Sequence, residues 1–76
     1  MMDNPAIVSD RTLLIVEDDK SFLQQLARAM EGRGFAVTTA GSVADGLIQV
    51  KQSAPAFAVV DMRLGDGSGL DVISAL

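Results

Sequence analysis

The sequence predicts an α/β fold, a parallel sheet with helices on both faces, and three observations predict it. Two short apolar runs, Leu13-Leu14-Ile15-Val16 and Phe57-Ala58-Val59-Val60, lack the apolar/polar alternation of a half-exposed strand and read as buried parallel strands. Each run leads directly into acid, Glu17-Asp18-Asp19 after the first and Asp61 after the second. Between and beyond them lie segments whose apolar residues recur at helical spacing, so strand and helix alternate along the chain.

Residues 1–11 are polar, carry Pro5 and read as a flexible leader. The first strand is expected at about 12–16. A helix follows from about Ser21 to Glu31, with Phe22, Leu23, Leu26, Ala27 and Met30 on one face. Gly32 and Gly34 supply its stop signals. The second strand is expected at about 35–40, and Thr38-Thr39 give it the polarity of an edge strand. A second helix runs from about Val43 to Gln52, with Ser42 as N-cap, Asp45 in the first turn, and Val43, Leu47 and Val50 as its buried stripe. Gly46 inside it carries a penalty of roughly 1 kcal/mol relative to alanine. Pro55 precedes the third strand, at about 57–61. The run Gly65-Asp66-Gly67-Ser68-Gly69 reads as a turn leading into a third helix over Leu70–Leu76. The order βαβαβα implies right-handed crossovers.

Composition narrows the chemistry. The 76 residues amount to one domain at most, or part of one. A chain this short buries only about 60% of the surface its unfolded form exposes. The apolar fraction of 49% is that of a globular protein. No cysteine is present, which excludes disulfides and thiolate zinc sites, and no histidine, which removes the usual general base and transition-metal ligand. The net charge of -4 leaves no basic footprint for nucleic acid. No apolar run has the length of a membrane span, and the N-terminus lacks a basic stretch followed by an apolar core, so a cytoplasmic protein without membrane contact is expected.

Carboxylates at the carboxyl ends of two parallel strands converge where open α/β sheets bind ligands. Grouped oxygens with no basic partner in sequence call for a cation, and hard Mg²⁺ suits them better than zinc. Plainer readings stand beside this one. Glu17-Asp18-Asp19 could be an acidic cluster favoured by a helix macrodipole, and Asp61 could close an Asx-turn. The glycine-rich loop lacks the Gly-Lys-Ser/Thr ending of a phosphate-cradling P-loop. Met30, Met62 and the phenylalanines read as packing, and Arg28 and Arg33 as solvated.

The run Leu13–Asp19, the segment Val59-Val60-Asp61-Met62-Arg63-Leu64, the 43-residue gap from Asp18 to Asp61 and Gly69 eight residues past Asp61 resemble the receiver domain of two-component response regulators. The resemblance spans residues 12–76. Arg33-Gly34-Phe35 and Leu64-Gly65-Asp66-Gly67-Ser68-Gly69-Leu70-Asp71-Val72 look most like the redox-responsive global regulators of alphaproteobacteria. It implies a flavodoxin-like sheet of order 2-1-3-4-5. It implies Asp61 as phosphoacceptor, attacking the phosphohistidine of a sensor histidine kinase or a small phosphodonor. Asp18 would ligate Mg²⁺ directly, Glu17 through a water, and the backbone carbonyl of Arg63 would be another ligand, with Asp61 itself in the set. Asp19 would point elsewhere and help open the first helix. Phosphoryl transfer rests on positioning and charge neutralisation, which fits these residue types. Such a domain is a phosphoacceptor with self-catalysed transfer rather than a turnover enzyme, and it controls an output domain that binds DNA.

The chain departs from the family pattern at Gly65, where most receivers carry proline. Only part of a five-unit fold is covered, and the Ser/Thr and Lys that follow the fourth and fifth strands in the family have no counterpart here; Lys20 and Lys51 follow no strand. With the third strand as an apolar edge, the chain is expected to self-associate, to be completed by another chain, or to be a fragment of a longer protein. Two competitors remain. A haloacid-dehalogenase-like phosphohydrolase carries a second acid two residues past its nucleophile, where this chain has Arg63. A phosphorylation-incompetent receiver acting only as an interaction unit is the other.

Overall fold

The computed structural model describes residues 10–76, which form a parallel three-stranded sheet with helices on both faces. The elements are β1 (Thr12–Val16), α1 (Lys20–Glu31), β2 (Ala36–Ala40), α2 (Val43–Gln52), β3 (Phe57–Val60), β4 (Arg63–Leu64), β5 (Gly67–Ser68) and α3 (Gly69–Ala75). The strand order β2-β1-β3 places β1 in the middle, with both neighbours parallel to it. This order is the 2-1-3 part of the flavodoxin-like sheet that the receiver resemblance implies. Most of the expected leader, residues 1–9, lies outside the described residues. Its last residue, Arg11, donates from Nε to the Gly34 carbonyl at 3.2 Å and lies over the Phe35 ring.

Alternation along β1 explains why both of its faces are covered. Leu13 and Ile15 point to α1, where they pack with Leu23, Leu26, Ala27 and Met30. Leu14 and Val16 point the other way, into a core with Ala40, Val43, Val50, Leu64 and Val72 from β2, α2, β4 and α3. Phe22, expected on the buried face of α1, is instead half exposed, since it lies at the rim of that stripe. The second apolar run, Phe57–Val60, also differs from expectation. β3 is exposed along most of its length, with Phe57 at 51% and Val59 at 45%. It is an edge strand here, with no further strand beside it among the described residues.

The helix ends follow local chemistry. Asp19 caps α1 by accepting from the Phe22 amide at 3.1 Å, which starts the helix at Lys20, one residue before the expected Ser21. Gly34, with φ of 92°, turns the chain from α1 into β2 in a conformation that favours glycine. Ser42 caps α2 by accepting from the Asp45 amide at 3.0 Å, as the sequence predicts. The glycine-rich segment is more ordered than the expected turn. It forms an antiparallel hairpin, Arg63 opposite Ser68 and Leu64 opposite Gly67, with Gly65-Asp66 as the link. Ser68 then caps α3 through the Leu70 amide.

Candidate functional site

Parallel pairing sets the tips of β1 and β3 side by side, because Val16 is in register with Val60. The ladder continues one step further: the Asp61 amide donates to the Val16 carbonyl at 2.9 Å. On the other side the Glu17 amide donates to the Ala40 carbonyl of β2 at 3.0 Å. The residues that follow the two apolar runs are thereby fixed on one edge of the sheet. Carboxylate oxygens of Glu17, Asp18 and Asp61 all lie within 4.8 Å of one another, an arrangement that could hold a metal ion. Glu17 and Asp61 are half-buried and Asp18 is exposed.

Hydrogen bonds orient this cluster from below. Asp61 Oδ1 accepts from the Arg63 amide at 3.1 Å, and Glu17 Oε2 accepts from the Asp19 amide at 3.1 Å. The Asx-turn at Asp61 therefore exists, and it coexists with the cluster instead of replacing it. The donor set is oxygen only and carries three formal negative charges, which matches a hard dication and not a soft metal. Asp19, the remaining acid of the first patch, is used as the α1 cap and is not in the cluster.

One neighbour of the site escapes sequence reasoning. Asp66, at the tip of the β4–β5 hairpin, reaches across to α2 and accepts from the Val43 amide at 2.8 Å and the Ala44 amide at 3.1 Å. These bonds, the Val43 one first, hold its carboxyl below its ordinary range. Its partners stand 22 and 23 residues away, so no local pattern reveals them. The available signal is the two-residue link Gly65-Asp66 between Leu64 and Gly67, a hairpin cue rather than a cue to the tether.

Gly69 explains its own place in the pattern. A Cβ there would overlap the Asp61 carbonyl oxygen and stand 2.8 Å from Val60 Cγ1. The chain after Asp61 can thus return against the strand tip only if this residue has no side chain. A family model for the response regulator receiver domain matches residues 13–76. The chain belongs to this family. Among known receivers' parent proteins, it is 60% identical over 74 residues to the acid tolerance regulatory protein ActR of Sinorhizobium medicae, covering 97% of this chain and 38% of the relative. It is 56% identical over 68 residues to the photosynthetic apparatus regulatory protein RegA of Cereibacter sphaeroides, covering 90% of this chain and 37% of the relative. It is 34% identical over 64 residues to the KDP operon transcriptional regulatory protein KdpE of Escherichia coli, covering 84% of this chain and 28% of the relative. The receiver thus spans well under half the length of these relatives. Its subfamily resemblance, read from Arg33-Gly34-Phe35 and the segment Leu64–Val72, agrees with the first two. A receiver is a regulatory domain of two-component signalling and does not belong to a classical enzyme family. Among the described residues, no helix is long and apolar enough to cross a membrane.

Proposed function

We propose that this receiver accepts a phosphoryl group on Asp61, with Mg²⁺ held by Asp18, Asp61, the Arg63 backbone carbonyl and, through a water, Glu17. The observation that carries this reading is the three-carboxylate cluster at the tips of adjacent strands. In the step proposed, an Asp61 carboxylate oxygen forms a bond to phosphorus. The P–N bond to a sensor kinase's histidine breaks, and the imidazole leaves with the electron pair and takes up a proton. With a small phosphodonor such as acetyl phosphate, a P–O bond breaks and acetate leaves. Mg²⁺ supplies the positive charge that lets a carboxylate approach an anionic phosphoryl group. The Asx-turn at Asp61, closed by the Arg63 amide, restrains the Asp61 carboxyl, leaving Oδ2 as the freer oxygen for attack. In the whole protein the acyl phosphate would shift an inactive/active equilibrium and control a DNA-binding output domain in the cytoplasm; KdpE is by name a transcriptional regulatory protein.

The test is incubation with acetyl phosphate and Mg²⁺, read by intact mass. One added phosphate is expected, absent in Asp61→Asn and absent in chelator. No adduct on the wild-type chain under any donor or metal condition would leave the phosphoacceptor reading without support.

The exposed edge favours a second role for this chain, self-association or completion by another chain. Phe57 and Val59 on β3 are at least 45% exposed, and Leu70 and Ile73 on α3 at least 44%. Unpaired edge strands template pairing with other chains. Light scattering is expected to show species larger than a monomer, and Val59→Lys to shift them toward monomer. A monodisperse wild-type monomer would remove this role.

A further inference from the structure

We propose that Asp66 is a positioning residue that clamps the hairpin of residues 62–68 against the carboxylate cluster by tying its tip to the start of α2. This rests on the metal-binding reading above and names how the chain holds that site in shape.

The hairpin's base is fixed on its own. Gly69 donates to the Met62 carbonyl at 3.1 Å, and Arg63 donates to Asp61 Oδ1 at 3.1 Å. Its tip is not. Glycines flank Asp66 on both sides, and Gly67 has φ of 154°, so the backbone there carries little intrinsic restraint. Yet the tip abuts the site: a Cβ on Gly65 would lie 3.8 Å from Asp18 Oδ2. Any drift of the tip moves the wall beside Asp18 and the strand that carries the Arg63 carbonyl.

Asp66 supplies the missing restraint. Each of its oxygens takes one amide, Oδ1 from Val43 and Oδ2 from Ala44. Charged acceptors on helix N-terminal amides make strong, directional bonds. The anchor is stiff, because α2 is locked to the core through Val43, Leu47 and Val50. The helix has its own cap in Ser42, and the Ala44 amide lies in an exposed position where water can serve it. The tether therefore does more for the loop than for the helix.

The experiment is a Mg²⁺ titration of the ¹⁵N-labelled chain by NMR, at fixed ionic strength, with three controls. Asp66→Ala is expected to weaken Mg²⁺ binding about tenfold, the lower end of what outer partners of a metal site are worth. Asp66→Asn, which keeps one acceptor oxygen, is expected to fall between. Ser42→Ala removes the other cap of α2 and is expected to lower stability while leaving Mg²⁺ affinity within about twofold. Asp71→Asn removes an equal charge beside Gly67 and controls for loss of charge alone. Acetyl phosphate labelling of Asp66→Ala is expected to slow at low Mg²⁺ and recover when Mg²⁺ is raised. Unchanged affinity in Asp66→Ala, or equal weakening in Ser42→Ala or Asp71→Asn, overturns the positioning role. Unfolding of both Asp66 variants does so too, since it would make Asp66 a structural cap. A wild-type chain that binds no Mg²⁺ fails the metal reading itself, and the positioning role with it.

Discussion

Gly69→Ala is expected to destabilise this chain more than any other single methyl insertion. The added Cβ would meet backbone: the Asp61 carbonyl oxygen overlaps it and the Asp61 carbonyl carbon would stand 2.9 Å away. That backbone cannot step aside cheaply. Asp61 is held to Val16 by the last bond of the β1–β3 ladder, and Gly69 itself is bonded to the Met62 carbonyl. Relief would require α3 to withdraw, which pulls Val72, a residue with no exposure at all, out of the core. Overpacking of this kind costs about 1–3 kcal/mol, occasionally more, and rigid obstacles place this site at the high end. A domain of this length has a total stability of about 4–11 kcal/mol. A melting midpoint lower by more than about 10 °C is expected by circular dichroism. A midpoint within a few degrees of wild type would mean that the loop after Asp61 moves freely, and the close approach would not be a constraint.

Gly46→Ala provides the contrast within the same series. Its Cβ would also be crowded, at 3.0 Å from Val72 Cγ2 and 3.3 Å from Val16 Cγ2, but the obstacles are methyl groups that can rotate. Alanine gains about 1 kcal/mol of helix propensity against about 1–3 kcal/mol of overpacking. The net effect is expected to be small and destabilising. Read from sequence, this glycine is only a weakness in a helix. In the fold it is where α2 meets the Val72 and Val16 side chains of α3 and β1.

That difference marks the boundary of what the sequence discloses. The unbroken apolar run Leu13–Val16 reads as a buried strand and the helical spacing within Val43–Gln52 as a helix, and the parallel order follows from their alternation. The tips of β1 and β3 come together because strand ends in such sheets have fixed neighbours, so the sequence alone groups Glu17, Asp18 and Asp61. Side chains with local partners were equally legible: Ser42 and Asp19 bond amides three residues ahead. Legibility fails where the partner is distant in sequence or where packing depends on missing atoms. The Asp66 tether joins residues more than twenty positions apart. The hairpin of β4 and β5 has strands of two residues, too short for any alternation to register. The exposure of β3 depends on what lies beside it, and its composition alone reads as buried.

Asp18→Asn is expected to separate stability from metal binding with opposite signs. Without a cation, Asp18 sits within 4.8 Å of two other carboxylates. At water-like screening each such pair repels by about 1 kcal/mol. Removing one charge should therefore raise the melting midpoint in chelator by several degrees. In Mg²⁺ the wild-type chain is expected to gain stability by linkage, about 2.7 kcal/mol when the ion stands at 100 times its dissociation constant. The variant, lacking the proposed direct ligand, should gain almost none, so the rank order of the two proteins reverses between chelator and Mg²⁺. The plainer reading of the same residues gives the contrary result. If Glu17, Asp18 and Asp19 served only the α1 macrodipole, Asn at position 18 would lower stability by a few tenths of a kcal/mol, and Mg²⁺ would leave both midpoints where they were. Melting curves of both proteins in chelator and in Mg²⁺ decide between the two, because a shared cation is the only arrangement in which one carboxylate destabilises the empty site and stabilises the filled one.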